Sequence, residues 1–417
     1  MPAEKTNEKF FTTPLIIIFV TVFIDLIGFG MVIPILPFYA NTPPFSATPL
    51  EIGFLVASYS LMQFFFSPLL GRLSDRYGRR PVLFISLLGS AVGYFVIGFA
   101  NTLFLVFLGR IIGGITGGNI STAQAYIADV TSKENRAKGM GLFGAAFGLG
   151  FIFGPAFAGI LSKYGVHVPF FFAAALSFVN AVALYFILPE SLKASARRVL
   201  PERKNRLLEL FDSLKNKEFR EINIVYFLLV TAFSIMTYAF VLYTTFRFGY
   251  TAEQNGYLFA FVGLIAILGQ GFLFGRLVKK YGESSLIVAG CLLMVVSLFA
   301  VPLVGPQYGG LIGLLIGTAV LSFGNSLASP GLTSLASKTA DESDQGRAMG
   351  ILQSGASLAR VIGPVIGGLL LNNSINMIDD FTLYRTFWTA SAIMFVAFIV
   401  AIYFARTAKE SLSSSRY

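Results

Sequence analysis

The sequence predicts an all-α membrane protein with twelve transmembrane helices in two pseudo-symmetric six-helix bundles. Of its 417 residues, 55% are hydrophobic and only 12% are charged, whereas a soluble domain carries about 25% charged residues. Apolar runs of about 20 residues, the length that crosses the hydrocarbon core, recur twelve times. Sequence patterns of the first six runs return in the second six, which predicts two similar bundles.

The predicted spans lie close together along the chain, except at one long polar stretch. They cover residues 14–40, 50–70, 81–100, 103–128, 138–162, 168–188, 222–246, 254–275, 284–304, 308–333, 347–371 and 382–406. Residues 190–221 are basic and polar, with leucines at helical spacing, which predicts a cytoplasmic linker whose helix lies on the membrane surface. The chain is therefore divided into an N-terminal bundle (1–189), this linker and a C-terminal bundle (222–417).

Lys and Arg are distributed unequally between the two sides of the predicted membrane. The links on one side, called the far side below, carry only Lys163, Arg247 and Arg385, and most of the 31 basic residues lie on the other, basic side. The positive-inside rule predicts that the basic side and both termini are cytoplasmic. This orientation signal and contact with anionic lipids explain the net charge of +10, so no nucleic-acid partner is expected.

The composition excludes several classes of function. A single cysteine, Cys291, and a single histidine, His167, rule out a disulfide framework and a His/Cys metal site. A transport ATPase needs the phosphate loop GxxxxGK followed by Ser or Thr, which the sequence lacks. A membrane enzyme needs a nucleophile with a base, and Asp25 alone does not supply both. The duplicated halves favour a secondary transporter, without cofactor or metal, over a channel.

Two motifs occur once in each half. Residues 71–83, GRLSDRYGRRPVL, have a weaker copy, GRLVKKYGE, which begins at residue 275. Residues 141–159, GLFGAAFGLGFIFGPAFAG, are matched by residues 350–368, GILQSGASLARVIGPVIGG. The first motif is similar in every position to the loop 2–3 signature of the major facilitator superfamily. The second resembles the antiporter motif of that superfamily, with one glycine replaced by alanine. Its positions here are Gly141, Gly150, Gly154, Pro155 and Gly159.

The stretches that begin at Asp25 and Tyr59 are similar to the same places in tetracycline/proton antiporters, so the chain resembles the tetracycline and multidrug branch of the superfamily. The resemblance implies a monomeric, proton-coupled antiporter of a bacterial inner membrane, which exports amphipathic organic compounds by alternating access. Its partners would be a small-molecule substrate, protons and the lipid bilayer, with the proton gradient as energy source. The alternative is a proton symporter or uniporter for a polar metabolite such as a sugar or an organic acid.

The loop between the second and third spans is predicted to lock the basic side. Gly71 and Gly78 would permit a tight turn between two helices, and Asp75 would pair with Arg79 at the membrane edge. The resemblance implies a further partner at the end of the fourth span, where the sequence has Asp129. These charges would hold the two bundles together in one state and release them in the other. Because the second-half copy lacks the acid, the lock is expected to be asymmetric.

Charges inside spans are candidate functional groups, because a charged side chain in the hydrocarbon core costs about 2.5 kcal/mol or more. Asp25 is the single deep carboxylate, and Arg110 and Arg360 are the deep cations. The resemblance links Arg110 to proton coupling, and we expect Asp25 to carry the proton in a cycle that the approach of Arg110 influences. Arg360 could contact a carbonyl, an anionic substrate or structural polar groups.

Other cavity candidates are polar and aromatic residues in the spans that line the cavity of the resembled fold. With Arg360, the predicted cavity residues are Phe29, Tyr59, Gln63, Asn119, Gln124, Phe147, Phe151, Tyr238, Asn325 and Gln353. Of these, Gln63 matches a substrate-contacting glutamine of the tetracycline antiporters. Those antiporters carry an aspartate where this chain has Gly93, and a functional histidine that its eighth span lacks. We therefore expect a wider pocket at Gly93, and lipophilic or amphipathic substrates in preference to tetracycline.

Overall fold

The computed structural model describes residues 11–132, 135–192, 217–339, 345–373 and 378–414. Twelve helices in these ranges are long and apolar enough to cross a membrane, which confirms the predicted fold class and number of spans. Helices joined by short links run antiparallel to each other. The helices are α1 (Thr13–Asn41), α2 (Pro49–Tyr77), α3 (Arg79–Gly98), α4 (Leu103–Val130), α5 (Arg136–Ser162), α6 (Val168–Ile187), α7 (Lys217–Phe248), α8 (Ala252–Tyr281), α9 (Glu283–Leu303), α10 (Gly310–Thr339), α11 (Gln345–Leu371) and α12 (Asp380–Ser414).

Several helices extend beyond the predicted apolar spans on the basic side. α2 continues to Tyr77, α10 continues to Thr339, and α7 begins at Lys217, inside the predicted linker. Hydrophobicity marks only the part of a helix that crosses lipid, whereas the helix continues as long as its backbone hydrogen bonds form. The predicted surface helix of the linker lies outside the described residues.

Two helices depart from regular α geometry near the middle of their length. In α4 the helical segments Leu103–Thr116 and Asn119–Val130 are separated by Gly117 and Gly118. In α8 a π-helical turn covers Leu268–Phe274. Glycine pairs and π-turns are known causes of helix bending, so α4 and α8 can change direction at these points.

α5 and α11 occupy corresponding places in the two halves. Each packs on the first helix of its own half, α1 or α7, and crosses a helix of the other half, α8 or α2. Small residues permit the close approach. A Cβ on Gly154 would lie 2.8 Å from Gly30 of α1, and one on Gly363 would lie 2.6 Å from the Cβ of Ser234 in α7. The repeat in the sequence therefore corresponds to a repeat of helix contacts.

The two halves touch near the far side through two crossings of small residues. Where α2 crosses α11, a Cβ on Gly53 would lie 2.5 Å from the carbonyl oxygen of Pro364. Where α5 crosses α8, a Cβ on Gly256 would lie 2.6 Å from the carbonyl oxygen of Pro155. Backbones that approach this closely leave no passage between the helices, so these crossings close the far side.

Polar contacts add to this closure. Lys163, which follows α5, forms an ion pair of 2.9 Å with Glu253 at the start of α8, and the hydrogen bond to this carboxylate raises the pKa of Lys163. Tyr238 of α7 donates a hydrogen bond to the carbonyl oxygen of Pro49 at the start of α2. Both contacts join the first half to the second.

On the basic side the same helices separate. Gly148 of α5 still approaches α8, because a Cβ there would lie 3.3 Å from Ile267. One helical turn nearer the basic side, Gly144 and Gly271 both have open space where a Cβ would be, and Gly355 of α11 has the same. Among the described residues, the structure is therefore open towards the basic side and closed on the far side.

Candidate functional site

Three charged side chains meet where α2, α3 and α4 end on the basic side, and we call Asp75, Arg79 and Asp129 the basic-side cluster. The Arg79 guanidinium lies 2.6 Å from Oδ1 of Asp75 and 3.0 Å from Oδ2 of Asp129. It also donates to the hydroxyl of Ser74 at 2.7 Å. Only 9% of the Arg79 side chain is exposed, which strengthens these interactions relative to those in bulk water. The three predicted charges are thus in contact, and Ser74 is an addition that the sequence pattern did not single out.

Gly78 alone forms the turn between α2 and α3. Its φ is +108°, in the region that favours glycine. The carboxylate of Glu190, which follows α6, occupies the place where a side chain at this position would be. This carboxylate accepts the backbone N–H groups of Arg79 at 2.8 Å and Arg80 at 3.2 Å, so it caps the N-terminus of α3. Glu190 could not be identified from the sequence because it is 111 residues away from Arg79.

The predicted role of Gly71 in a turn is wrong. Gly71 lies inside α2, and a Cβ there would meet only the Ser121 hydroxyl at an ordinary contact distance of 3.6 Å. The charged motif is therefore the last turns of one helix and the first turn of the next, not an extended loop. The ion pairs of the basic-side cluster join helices of the first half only. That these charges hold the two bundles together stays a prediction for a state closed on the basic side.

The second half has a counterpart of this cluster with reversed charges. Gly282, with φ +75°, forms the turn between α8 and α9. Glu283 at the start of α9 pairs with Lys338 at the end of α10 and accepts a hydrogen bond of 3.2 Å from Ser334. An acid thus stands where the first half has arginine, and a cation stands where it has aspartate. The predicted asymmetry is a reversal of charge rather than the loss of the contact.

The positions of the predicted antiporter motif have different surroundings along α5. Gly150 and Gly154 pack directly on α1, since a Cβ at either would lie within 2.7 Å of that helix. Gly159, one turn beyond Pro155, packs on α8, where a Cβ would lie 2.8 Å from a carbonyl oxygen. Gly141 is in open space on the basic side. The motif therefore brings α5 close to one helix of its own half and one helix of the other.

Asp25 lies in the middle of α1 and is partly buried. Its Oδ2 accepts a hydrogen bond of 3.0 Å from the amide of Asn119 in α4, and none of the described basic residues forms an ion pair with it. A cavity of about 10 Å³ beside Asp25 is also lined by Thr21, Asn119 and Phe143. This volume is about the minimum that holds one water molecule. The deep carboxylate therefore has an amide partner and room for water, but no counter-ion.

Arg110 of α4 is buried and is positioned by α2. It donates to the carbonyl oxygens of Leu55 at 3.2 Å and Val56 at 3.4 Å, and its guanidinium lies 4.5 Å from the ring centroid of Tyr59. Tyr59 also lies in the neighbourhood of Asp25. The tyrosine is therefore close to both predicted proton-coupling residues, which do not contact each other directly.

The prediction of a wider pocket at Gly93 is wrong. A Cβ there would lie 2.9 Å from the carbonyl oxygen of Gly109, so this position faces the contact between α3 and α4. The next residue, Tyr94, is buried and lies in the neighbourhood of Asp25 and Arg110. No signal in the sequence selects Tyr94, because its burial is visible only in the structure.

Four of the predicted aromatic residues form a continuous row, which we call the aromatic wall: Tyr59, Phe29, Phe151 and Phe147. Successive ring centroids are 5.6, 6.2 and 5.5 Å apart, within the range of favourable aromatic contacts. The row crosses α2, α1 and α5. It supplies an aromatic surface on the first half, and it begins at Tyr59, which packs against Arg110.

The other predicted cavity residues differ in accessibility. Gln63 donates a hydrogen bond of 2.9 Å to a carbonyl at the break in α4. Gln124 and Asn325 are partly buried, and Gln353 is exposed on the basic-side half of α11. Tyr238 is only 2% exposed, and its hydroxyl is bound to the start of α2. The prediction that Tyr238 lines the cavity is wrong for this conformation, because the residue lies in the closed contact between the halves.

Arg360 of α11 approaches the centre from the second half and is partly buried. It forms a hydrogen bond of 3.2 Å with the hydroxyl of Ser357 in its own helix. It also lies in the neighbourhood of Tyr59 of the first half and Tyr226 of α7. In the part of the chain that the structure describes, no carboxylate forms an ion pair with it.

Twelve helices in two corresponding halves, closed on one side around central charged residues, define a secondary transporter rather than an enzyme. Residues 18–342 and 309–416 match the Major Facilitator Superfamily, and the chain belongs to this family. It is 34% identical to the class C tetracycline resistance protein of Escherichia coli, over 84% of this chain and 88% of that protein. It is 32% identical to multidrug resistance protein 2 of Bacillus subtilis, over 89% and 92%.

A solved structure of a human protein is also similar. The human organic anion transporter MFSD10 (TETRAN) is 25% identical to the chain, with a TM-score of 0.70 over 93% of this chain and 99% of that one. The sequence resemblance to the tetracycline and multidrug branch is confirmed by these comparisons.

Proposed function

We propose that the chain is a proton-coupled antiporter that exports amphipathic organic compounds from the cytoplasm by alternating access. The observation that carries this proposal is Asp25, a deep carboxylate with an amide partner and no counter-ion. A charge in this position is costly, so binding a proton there changes the energy of the surrounding helices. Such a dependence of conformation on protonation is what coupling requires.

Arg110 and Tyr59 are proposed to sense the charge of Asp25. The Tyr59 ring lies under the Arg110 guanidinium and in the neighbourhood of the carboxylate. When Asp25 is ionised, Arg110 is attracted towards it. When Asp25 binds a proton, this attraction ends and Arg110 keeps only the carbonyl oxygens of α2. The halves would therefore favour different arrangements in the two protonation states.

We propose that the basic side faces the cytoplasm of a bacterial cell, with both termini on that side. The bias of Lys and Arg supports this orientation, and the bacterial relatives support an inner membrane. The structure is open towards the basic side, so this conformation would be the one that takes up substrate from the cytoplasm. A monomer contains both halves and the complete cavity, so no second copy is required.

The aromatic wall and the names of the bacterial relatives support amphipathic substrates. Tetracycline itself is not expected to be the main one. That prediction now depends on two missing residues, the aspartate, whose charge would attract a cationic metal chelate, and the functional histidine. It no longer depends on a wider pocket at Gly93. The alternative function, a proton symporter or uniporter for a polar metabolite, has no comparable support from an apolar wall.

A flux assay in liposomes tests the proposal. With an imposed pH gradient, the purified protein should move at least one amphipathic aromatic dye, either the cation Hoechst 33342 or the anion 8-anilinonaphthalene-1-sulfonate, against protons more effectively than tetracycline or a sugar. Asp25→Asn should lose gradient-driven transport but keep downhill exchange, because an amide cannot release a proton. Asp25→Glu is the matched control and should keep part of the coupling.

Two results would contradict the proposal. Gradient-driven transport at the parent rate in Asp25→Asn would remove the proton from this residue. Accumulation of a sugar or organic acid together with protons would favour the alternative function. The same flux measured with membrane vesicles of known orientation shows whether export proceeds from the basic side.

A further inference from the structure

We propose that Arg360 binds an anionic group of the substrate, so that the transported compounds are amphipathic organic anions such as aromatic carboxylates or sulfonates. This inference rests on the proposed transport function and specifies its substrate class. It concerns recognition in the cavity and does not depend on how the proton is coupled.

The two deep arginines differ in how fully their donors are used. Arg110 donates to two carbonyl oxygens of α2 and stacks on Tyr59. Arg360 has one hydrogen bond to a described residue, the hydroxyl of Ser357 at 3.2 Å. A guanidinium carries five N–H donors in a planar fork. Arg360 therefore keeps most of its hydrogen-bonding capacity for water or a ligand.

The charge of Arg360 is also not neutralised within the described residues. The ion pairs among them lie near the ends of helices, at the basic-side cluster, its counterpart in the second half and the far-side contacts. The deep carboxylate, Asp25, is bound to Asn119 in the first half. A cation that remains unpaired near the middle of a membrane span is costly to the protein. An anionic substrate supplies the missing charge.

The position of Arg360 on α11 suits a ligand that enters from the basic side. Gly350 and Gly355, nearer that side on the same helix, face open space. Beyond Arg360, Pro364 lies in the closed crossing with α2. Arg360 is therefore located between the opening and the closed end of the cavity. A ligand that enters from the basic side passes Gly350 and Gly355 and meets the Arg360 guanidinium before it reaches the closed crossing at Pro364.

The aromatic wall provides the second contact. Tyr59, at one end of the wall, lies in the neighbourhood of Arg360 across the two halves. A ligand with an aromatic body and one anionic group can place its rings against the wall and its charge at Arg360. Arginine binds carboxylate, sulfonate and phosphate oxygens through two parallel hydrogen bonds. Lysine lacks this fork, so the two residues are not equivalent in such a site.

The test compares two xanthene dyes of similar size and opposite charge, fluorescein and rhodamine 123, by fluorescence anisotropy with the purified protein and no pH gradient. At alkaline pH the parent should bind fluorescein more tightly than rhodamine 123. Arg360→Gln should weaken fluorescein binding by about tenfold or more, as expected for a lost charge-assisted pair, without weakening rhodamine 123. Arg360→Lys should give an intermediate affinity. Lys279→Gln, which removes an exposed cation of the basic side, is the matched control and should leave both affinities unchanged.

A competition with unlabelled ligands keeps the test valid even if Arg360→Gln does not fold. The parent should release fluorescein when 1-naphthoate is added, but not when its neutral amide, 1-naphthamide, is added. Equal competition by the two compounds, or tighter binding of rhodamine 123 than of fluorescein, would overturn the inference. So would fluorescein binding to a folded Arg360→Gln variant within about twofold of the parent affinity, which is too small a change for a lost charge-assisted contact.

One further measurement distinguishes a role of Arg360 in binding the ligand from a role in pairing with another residue of the protein. If Arg360 pairs with Asp25 in another conformation instead of with substrate, Asp25→Asn should weaken fluorescein binding as much as Arg360→Gln does, and the inference would fail. Because these measurements are made at equilibrium, they are independent of proton coupling. A loss of gradient-driven antiport together with retained anion binding would refute the proposed transport mechanism and leave the role of Arg360 intact.

Discussion

The basic-side ends of the two halves make the same helix contact with opposite charges. In the first half Arg79, at the start of α3, pairs with Asp129 at the end of α4. In the second half Glu283, at the start of α9, pairs with Lys338 at the end of α10. Each pair follows a glycine with positive φ that forms the preceding turn. Both halves therefore join these helix ends by an ion pair, and the signs of the two charges are reversed between them.

The two contacts differ in depth. Arg79 is nearly buried and binds two carboxylates and a serine, while Glu190 caps the same helix. Lys338 is 63% exposed. Because exposed ion pairs contribute about 0–1 kcal/mol and broken buried pairs cost several, the first half should depend much more on its cluster. Mutations of the two ion pairs measure this difference in stability directly.

The largest effect is expected for Arg79→Gln. The change leaves two carboxylates and a buried hydroxyl without their partner. It should lower stability by about 2–4 kcal/mol, between the values for exposed and buried pairs because Asp75 is partly exposed. Thermal unfolding of the purified protein in detergent, followed by intrinsic fluorescence, measures the difference. Arg76→Gln removes an exposed cation of the same motif and is the control. Equal losses for the two variants would show that Arg79 acts only through its charge.

A smaller effect is expected for Lys338→Gln. This variant loses one exposed partner, so stability should fall by less than about 1 kcal/mol. The exchanged pair, Glu283→Lys with Lys338→Glu, should be close to the parent in the same unfolding assay, because it restores the contact with the charge signs of the first half. A loss in the exchanged pair as large as that of Arg79→Gln would mean that the sign of the charge matters to the second half.

The helices could be predicted because the length of an apolar run reports directly on a membrane span. The sequence predicts all twelve, and the errors concern helix ends that extend beyond the apolar runs, such as the end of α2 at Tyr77. The charged residues of the basic-side cluster were also found, since acids at a membrane edge stand out against an apolar background. Their partner Glu190 was not found, because the contact joins residues that are far apart in the chain.

The cavity was predicted less well for a physical reason. α7 is apolar on nearly all sides, so its sequence has no periodic pattern that shows which face meets the cavity. The sequence therefore predicts a cavity position for Tyr238, although the residue lies in the contact between the halves. The prediction for Gly93 fails in the same way, because a glycine in a sequence does not show whether it lines a pocket or permits two helices to touch. The predicted cavity residues Phe29, Phe147 and Phe151 do contact one another and Tyr59, whereas their part in lining a cavity stays a prediction.

The central claim is that opening of the two sides alternates and that Asp25 controls it. Pulsed electron spin resonance with nitroxide labels on a Cys291→Ala background tests it in lipid nanodiscs. One pair, Gly144→Cys with Gly271→Cys, reports on the basic side, and another, Tyr164→Cys with Leu311→Cys, reports on the far side. Between mildly alkaline and mildly acidic pH, the two distances should change in opposite directions in the parent and stay fixed in Asp25→Asn. Distances that do not respond to pH in the parent, or that respond equally in Asp25→Asn, would contradict the account.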